Sequence, residues 1–205
     1  MAGTAVKICG VTSVAEAELC VEAGADAIGL NFYPRSPRCI DAVIARQIVE
    51  AVGGAALTVG VFVDAGLDAI QELQASAGFR CVQLHGDESP ELLAALLPHA
   101  YKALRVKDES SVADARRYGG EHILLDAYVP GEAGGTGHTF RWELALPLAR
   151  ERRVTLAGGL RPDNVAAAVR AVQPFCVDVA SGVESRPGVK DPAAVRAFIT
   201  AAKSA

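Results

Sequence analysis

The sequence predicts an α/β protein folded as a single (β/α)8 TIM barrel over residues 1–205. Short runs rich in Val, Ile and Leu alternate with longer Ala-rich amphipathic stretches, the pattern of a parallel sheet covered by helices. Eight such pairs share 205 residues, so each unit has about 26, tight but sufficient for a strand, a helix and two turns. No G-x-G-x-x-G follows the first run and no unit breaks the rhythm, which disfavours an open doubly wound sheet with a switch point.

Strands are expected near 5–9 (AVKIC), 27–32 (AIGLNF), 57–63 (LTVGVFV), 81–85 (CVQLH), 100–105 (AYKALR), 122–126 (HILLD), 154–157 (VTLA) and 176–180 (CVDVA). Each is short and largely aliphatic and is bounded by turn formers. Helices are expected near 13–24, 40–52, 67–77, 89–97, 110–118, 140–150, 162–173 and 191–203. The stretch at 110–118 offers few apolar positions. Ser13 and Glu16 read as a capping box. Asp41, Pro162 with Asp163, and Asp191 with Pro192 mark further helix starts. Gly24, Gly53, Gly78 and Gly119 stand where helices should stop.

Composition narrows the function. The chain is 51% hydrophobic and 21% charged, with a formal net charge of -4, so a basic nucleic-acid footprint is absent. No apolar run approaches a membrane span, and residues 1–7 lack the basic-then-apolar pattern of a signal peptide. Cys9, Cys20, Cys39, Cys81 and Cys176 form no C-x-x-C pair, which argues against a zinc knuckle or a redox dithiol. Scattered thiols fit a reducing, cytoplasmic setting.

Residues two apart share a face of a strand. Val6 and Ile8 therefore oppose Lys7 and Cys9, and Val82 and Leu84 oppose Cys81, Gln83 and His85. Likewise Ile123 and Leu125 oppose Leu124 and Asp126, and Val177 and Val179 oppose Cys176, Asp178 and Ala180. The aliphatic sets suit the strand–helix interface, which turns Lys7, Cys9, Gln83, His85, Asp126 and Asp178 into the barrel. Ionisable groups buried there are costly unless they are paired or bind something. Most lie near the C-terminal ends of their strands, the end that carries active sites in this fold. For Lys7, Gln83 and Asp178, a satisfied polar network competes with substrate contact. Cys9 and Asp126 are the better acid–base candidates. Asp126 as acid needs burial to keep its proton, and Cys9 as base needs positive charge nearby, which Lys7 on the same face can supply.

Ala157-Gly158-Gly159-Leu160 follows the seventh strand and Ala180-Ser181-Gly182-Val183 the eighth. Glycine turns at these two places, with Gly158, Gly159, Ser181 and Gly182 offering backbone N–H groups, suit a phosphate clamp. Gly134-Gly135-Thr136-Gly137, after the sixth strand, is not a Walker loop, because His138 stands where Lys is required; a lid over the site is expected. In Tyr33-Pro34-Arg35-Ser36-Pro37-Arg38, Arg35 reads as solvent-exposed and Arg38 as a carboxylate ligand.

The chain resembles phosphoribosylanthranilate isomerases from residue 5 to about 198. The resemblance rests on an ordered set of motifs. The first are Lys7-Ile8-Cys9-Gly10, Asn31-Phe32 with Ser36-Pro37-Arg38, Gly60-Val61-Phe62-Val63, and Gln83-Leu84-His85-Gly86. They continue with Gly134-Gly135-Thr136-Gly137 followed by Phe140 and Trp142, and with Leu156-Ala157-Gly158-Gly159-Leu160 followed by Asn164. Last come Asp178 to Glu184, Pro187-Gly188 and Lys190-Asp191. The resemblance implies an Amadori rearrangement in tryptophan biosynthesis, in which N-(5-phosphoribosyl)anthranilate becomes 1-(2-carboxyphenylamino)-1-deoxyribulose 5-phosphate, without cofactor or metal. It places the general base on Cys9, the general acid on Asp126, the anthranilate carboxylate on Arg38, and the phosphate on the turns at 158–159 and 181–182. His85 and Asp178 fall on motif positions near the pocket and are further substrate-binding candidates. Arg141, where such enzymes often carry Asp, and His138 depart from the pattern.

Other functions remain open at this stage. One is the related rearrangement of histidine biosynthesis, alone or with this one, but that chemistry is usually run by two aspartates rather than by a thiol such as Cys9. Another is a non-catalytic phosphate-binding barrel. The expected partner is a small phosphorylated substrate, with no nucleic acid or membrane, and the chain is expected to be a monomer or a homodimer.

Overall fold

The computed structural model describes residues 3–127 and 141–205. Eight parallel strands close into a barrel in chain order. They are β1 (Ala5–Cys9), β2 (Ala27–Asn31), β3 (Leu57–Phe62), β4 (Cys81–Leu84), β5 (Ala100–Val106), β6 (His122–Ala127), β7 (Arg153–Leu156) and β8 (Cys176–Val179). Between and after them run α1 (Val14–Glu22), α2 (Ala42–Val52), α3 (Leu67–Ala77), α4 (Pro90–Leu96), α5 (Glu109–Ala113), α6 (Leu146–Glu151), α7 (Val165–Val172) and α8 (Pro192–Lys203). The ring closes where Lys7 of β1 stands opposite Asp178 of β8.

The alternation rule predicts the layers correctly. Val6, Ile8, Ile28, Leu30, Val82, Leu84, Ile123, Leu125, Val177 and Val179 pack outward against helix residues such as Cys20, Ile48, Leu93 and Phe198. Each such side chain contributes roughly 1.5–3 kcal/mol on burial. The inner layer is a separate, smaller cluster of Ala27, Val59, Tyr101, Ala103, Leu124 and Ala157. Small residues predominate there and leave the upper barrel to polar side chains.

Several local expectations are revised. The stretch at 110–118 splits into α5 and a 3-10 turn, Asp114–Arg117, because only Val112 and Ala115 find the core. The stretch at 140–150 opens as a 3-10 turn, Trp142–Ala145, and becomes α-helical where Pro147 can sit in the first turn of α6. α7 starts at Val165 rather than at Pro162, because Asn164 spends its side chain on the preceding turn. At α1 the Ser13 side chain caps the Glu16 N–H, but the Glu16 carboxylate does not return to Ser13. It accepts instead from Thr12 N (2.8 Å) and from Lys190 N (2.7 Å). Gly53 and Gly78 end α2 and α3 in the left-handed conformation, whereas the 3-10 turn before β6 ends on extended Tyr118, and Gly120 rather than Gly119 takes a positive φ beyond it.

A short hairpin unforeseen in the sequence, β9 (Glu184–Arg186) and β10 (Val189–Lys190), follows β8 and lies outside the barrel sheet. No described helix is long and apolar enough to cross a membrane.

Candidate active site

The Cys9 side of the mouth is built by β1, β2 and β8. Lys7 and Cys9 point into the barrel, as their parity predicts. Lys7 Nζ donates to Asp178 Oδ2 at 2.9 Å, and both side chains are buried. The sequence left this pair undecided. Burial works against the Lys7 ammonium, yet Asp178, with Cys9 and Tyr101, outweighs it and holds the Lys7 pKa well above the usual value. Burial also pushes the Cys9 thiol up; Lys7 pulls it down, Asp178 adds to the rise, and Lys190 pulls down again. The sequence reading gave Lys7 the correct sign but missed that desolvation is larger. Gly29 makes room for the thiol, since a Cβ on it would lie 2.7 Å from Cys9 Sγ and 3.2 Å from Lys7 Nζ.

The Asp126 side is built by β4, β5 and β6. Tyr101 Oη donates to Gln83 Oε1 (2.8 Å), Gln83 Nε2 donates to His85 Nδ1 (2.7 Å), and His85 Nε2 lies 3.1 Å from Asp126 Oδ2. With Gln83 as donor, His85 accepts at Nδ1 and presents Nε2–H to Asp126. Asp126 Oδ1 accepts from Ala127 N at 2.9 Å, so both carboxyl oxygens are oriented. Gln83 is wholly buried and meets Asp126 only by way of His85, which the alternation pattern alone did not resolve.

The two glycine turns meet. Gly158 has φ +84 and Gly159 φ +63, the left-handed region that favours glycine. A side chain at Gly158 would collide with Ala127 and Asp126, so this turn lies directly beside the Asp126 carboxyl. A side chain at Gly182 would collide with the Leu160 carbonyl. Asn164 braces the first turn, accepting from Arg161 N (2.8 Å) and donating to Gly159 O (2.9 Å). Among the described residues, no backbone carbonyl accepts from the N–H groups of Gly158, Gly159, Ser181 or Gly182.

Arg38 reaches the same mouth, passing over Gly10, where any Cβ would strike its stem. Its Nε and Nη2 each donate to the Glu184 carboxylate at 2.8 Å, a two-point pairing that leaves Nη1 for a ligand. Glu184 in turn accepts from Lys190 Nζ at 2.8 Å. Burial would raise the Glu184 pKa, but Arg38 and Lys190 prevail and hold it below the ordinary carboxylate range. The roles of Glu184 and Lys190 escaped sequence reasoning; the signal was two charges flanking one glycine-bearing turn, five and eleven residues after β8 ends. The glycine loop at 134–137 and His138 lie outside the described residues.

Cys9 and Asp126 thus stand on inner faces near the C-terminal ends of β1 and β6, with β7 and β8 between them on one side of the ring. A carboxyl and a thiol across one mouth, with cations to one side and backbone N–H groups beside the carboxyl, suit proton transfer on an anionic ligand. Among the described residues, no cluster of three or more His, Cys, Asp or Glu side chains could hold a metal.

Comparison with known proteins points the same way. Residues 6–201 match the model of a family described as N-(5'-phosphoribosyl)anthranilate (PRA) isomerase. A protein of that name from Myxococcus xanthus is 50% identical over 204 residues, covering 97% of this chain and 96% of its own. Its counterpart from Pelobacter propionicus is 46% identical over 198 residues, covering 97% and 95%. The crystal structure of phosphoribosyl anthranilate isomerase from Thermotoga maritima superposes with a TM-score of 0.91 at 40% identity, covering 98% of this chain and all of the other.

Proposed function

The chain belongs to the N-(5'-phosphoribosyl)anthranilate isomerase family and is an isomerase of tryptophan biosynthesis, and on that premise we propose that Cys9 is its general base and Asp126 its general acid. The substrate is N-(5-phosphoribosyl)anthranilate and the product 1-(2-carboxyphenylamino)-1-deoxyribulose 5-phosphate. A related structure, 38% identical with a TM-score of 0.87, holds the reduced form of that product, which supports the reading.

Asp126 donates a proton to the furanose ring oxygen. The C1′–O bond breaks and the anthranilate nitrogen lone pair forms a protonated Schiff base. The Cys9 thiolate then removes the C2′ proton, and the electron pair moves into C1′=C2′ to neutralise the iminium. The resulting enolamine tautomerises to the ketone. His85 orients the acid, and Asp178 acts through Lys7 beside the base. Arg38, through its free Nη1, takes the anthranilate carboxylate. The N–H groups of Gly158, Gly159, Ser181 and Gly182 take the phosphate. Held at both ends, the sugar lies between acid and base, which converts a demanding encounter into an oriented one.

The reaction uses no cofactor or metal and runs in the cytoplasm in one domain covering 1–205. The chain acts as a monomer or a homodimer; a Thermotoga maritima relative is described as dimeric. The observation that carries the reading is the inward placement of Cys9 and Asp126 across the mouth of the barrel. Incubation with phosphoribosylanthranilate labelled at C2′ tests it. Mass-resolved chromatography should show the ketose product and loss of the C2′ label, and an unchanged substrate would contradict the reading.

A further inference from the structure

We propose that Lys190 is a positioning residue that ties the base, the carboxylate-binding arginine and the turn after β8 into one rigid unit, an inference that rests on the reading above. The Lys190 side chain is 0% exposed. Its Nζ donates to Cys9 O at 2.6 Å, to Glu184 Oε1 at 2.8 Å and to Ala180 O at 3.2 Å. An ammonium has three hydrogens, so each is used. Cys9 O belongs to the base itself. Ala180 O opens the turn that carries Ser181 and Gly182. Glu184 is the carboxylate on which the Arg38 guanidinium is seated. Glu184 thus sets the plane of Arg38, and Lys190 sets the plane of Glu184.

The lysine is itself held in place. Its backbone N–H donates to Glu16 at 2.7 Å, and Gly188 O accepts from Thr12 Oγ1 at 3.0 Å, which clamps the β9–β10 hairpin onto the start of α1. The next residue, Asp191, caps α8. The charged groups facing Cys9 are Lys7 from β1, Asp178 from β8, Arg38 from the loop after β2, and Lys190 from the hairpin. Of these, Lys7 is already neutralised by Asp178 and Arg38 by Glu184. Lys190 shares Glu184 with Arg38 and keeps direct contact with the Cys9 backbone.

The test uses the full chain with Lys190→Met, Glu184→Gln, Arg38→Met and the Lys190→Met/Arg38→Met double variant. Steady-state kcat and KM are measured for phosphoribosylanthranilate. The pH profile of Cys9 alkylation by iodoacetamide is read by peptide mass spectrometry. For Lys190→Met, KM should rise and kcat fall by about tenfold each, and the Cys9 profile should move to higher pH. For Glu184→Gln, KM should rise about tenfold, with the Cys9 profile unmoved. In the Arg38→Met background, Lys190→Met should add no further rise in KM yet still lower kcat. A folded Lys190→Met chain that loses only thermal stability, with kcat, KM and alkylation as in the parent, overturns the proposal. Should Lys190→Met fail to fold, Glu184→Gln decides: an unchanged KM overturns it. If the parent chain turns nothing over, the isomerase reading fails on its own, and the alkylation shift still decides whether Lys190 acts on Cys9.

Discussion

Gly29→Ala isolates the placement of the thiol from the stability of the barrel. Gly29 lies in the middle of β2 beside Cys9, its register partner on β1. An added Cβ would stand 2.7 Å from Cys9 Sγ, whereas ordinary contact begins at 3.4 Å, so the sulfur must retreat by at least about 0.7 Å. Lys7 Nζ, at 3.2 Å from the same Cβ, limits one direction of retreat, and Cys9 Cα, at 3.1 Å, must give slightly as well. Misplacement on the order of 1 Å in a reacting group can lower the rate about 100-fold. The chain should stay folded, because Gly29 has no positive φ and alanine restricts the unfolded chain by about 0.4–1 kcal/mol, offsetting part of the strain. Steady-state kinetics of Gly29→Ala should therefore show kcat reduced by one to two orders of magnitude, with KM and the urea midpoint close to the parent. Gly3→Ala, where a Cβ meets nothing within 4 Å, is the matched control. A Gly29→Ala chain with parental kcat would refute the reasoning that the thiol's position is what the glycine protects.

Three further outcomes follow from the same geometry. Lys7→Met removes the largest influence lowering the Cys9 pKa and leaves Asp178 uncompensated, so the thiol's alkylation profile should move to higher pH; identical profiles in the two chains would break the proposed coupling. His122, stacked 4.2 Å from Tyr101 at the base of the barrel, is pushed by burial down to about 4 from an ordinary 6.5. Its folded pKa is thus depressed, so the native state binds fewer protons than the unfolded chain between those values. Stability is full above about 6.5 and falls as pH drops towards 4 by at most about 3 kcal/mol; His122→Gln should flatten that part of the urea-midpoint profile. Arg152 donates to the carbonyls of Ala115, Tyr118, Gly119 and Gly120, closing the turn before β6. Arg152→Ala should destabilise the chain by about 1.5–3 kcal/mol in denaturant unfolding with kcat/KM unchanged.

The barrel was legible in the sequence because its two periodicities are local. A period of two sorted Lys7, Cys9, Gln83, His85, Asp126 and Asp178 inward from single strands, and the structure places all of them there. What the sequence did not reveal depends on partners far along the chain. Glu16 looked like half of a capping box, but its carboxylate is used 174 residues away at Lys190. Arg38 reads as a ligand for a substrate carboxylate, but a carboxylate of the chain itself, Glu184, 146 residues on, occupies two of its donors. Lys102 is buried on the outer side of β5, where it pairs with Glu88 at 3.1 Å. Neither propensity nor spacing encodes such closures, which arise only once the ring of strands fixes which loops are neighbours.

The division of labour between acid and base is tested most directly by separating binding from turnover in Cys9→Ala and Asp126→Ala. Calorimetric titration with the reduced product should give affinities near the parent's in both chains. General acid–base groups contribute about 10²–10⁴-fold, so kcat should drop by that order in each variant. Either chain turning over at the parental rate without its thiol or its carboxyl would contradict the account.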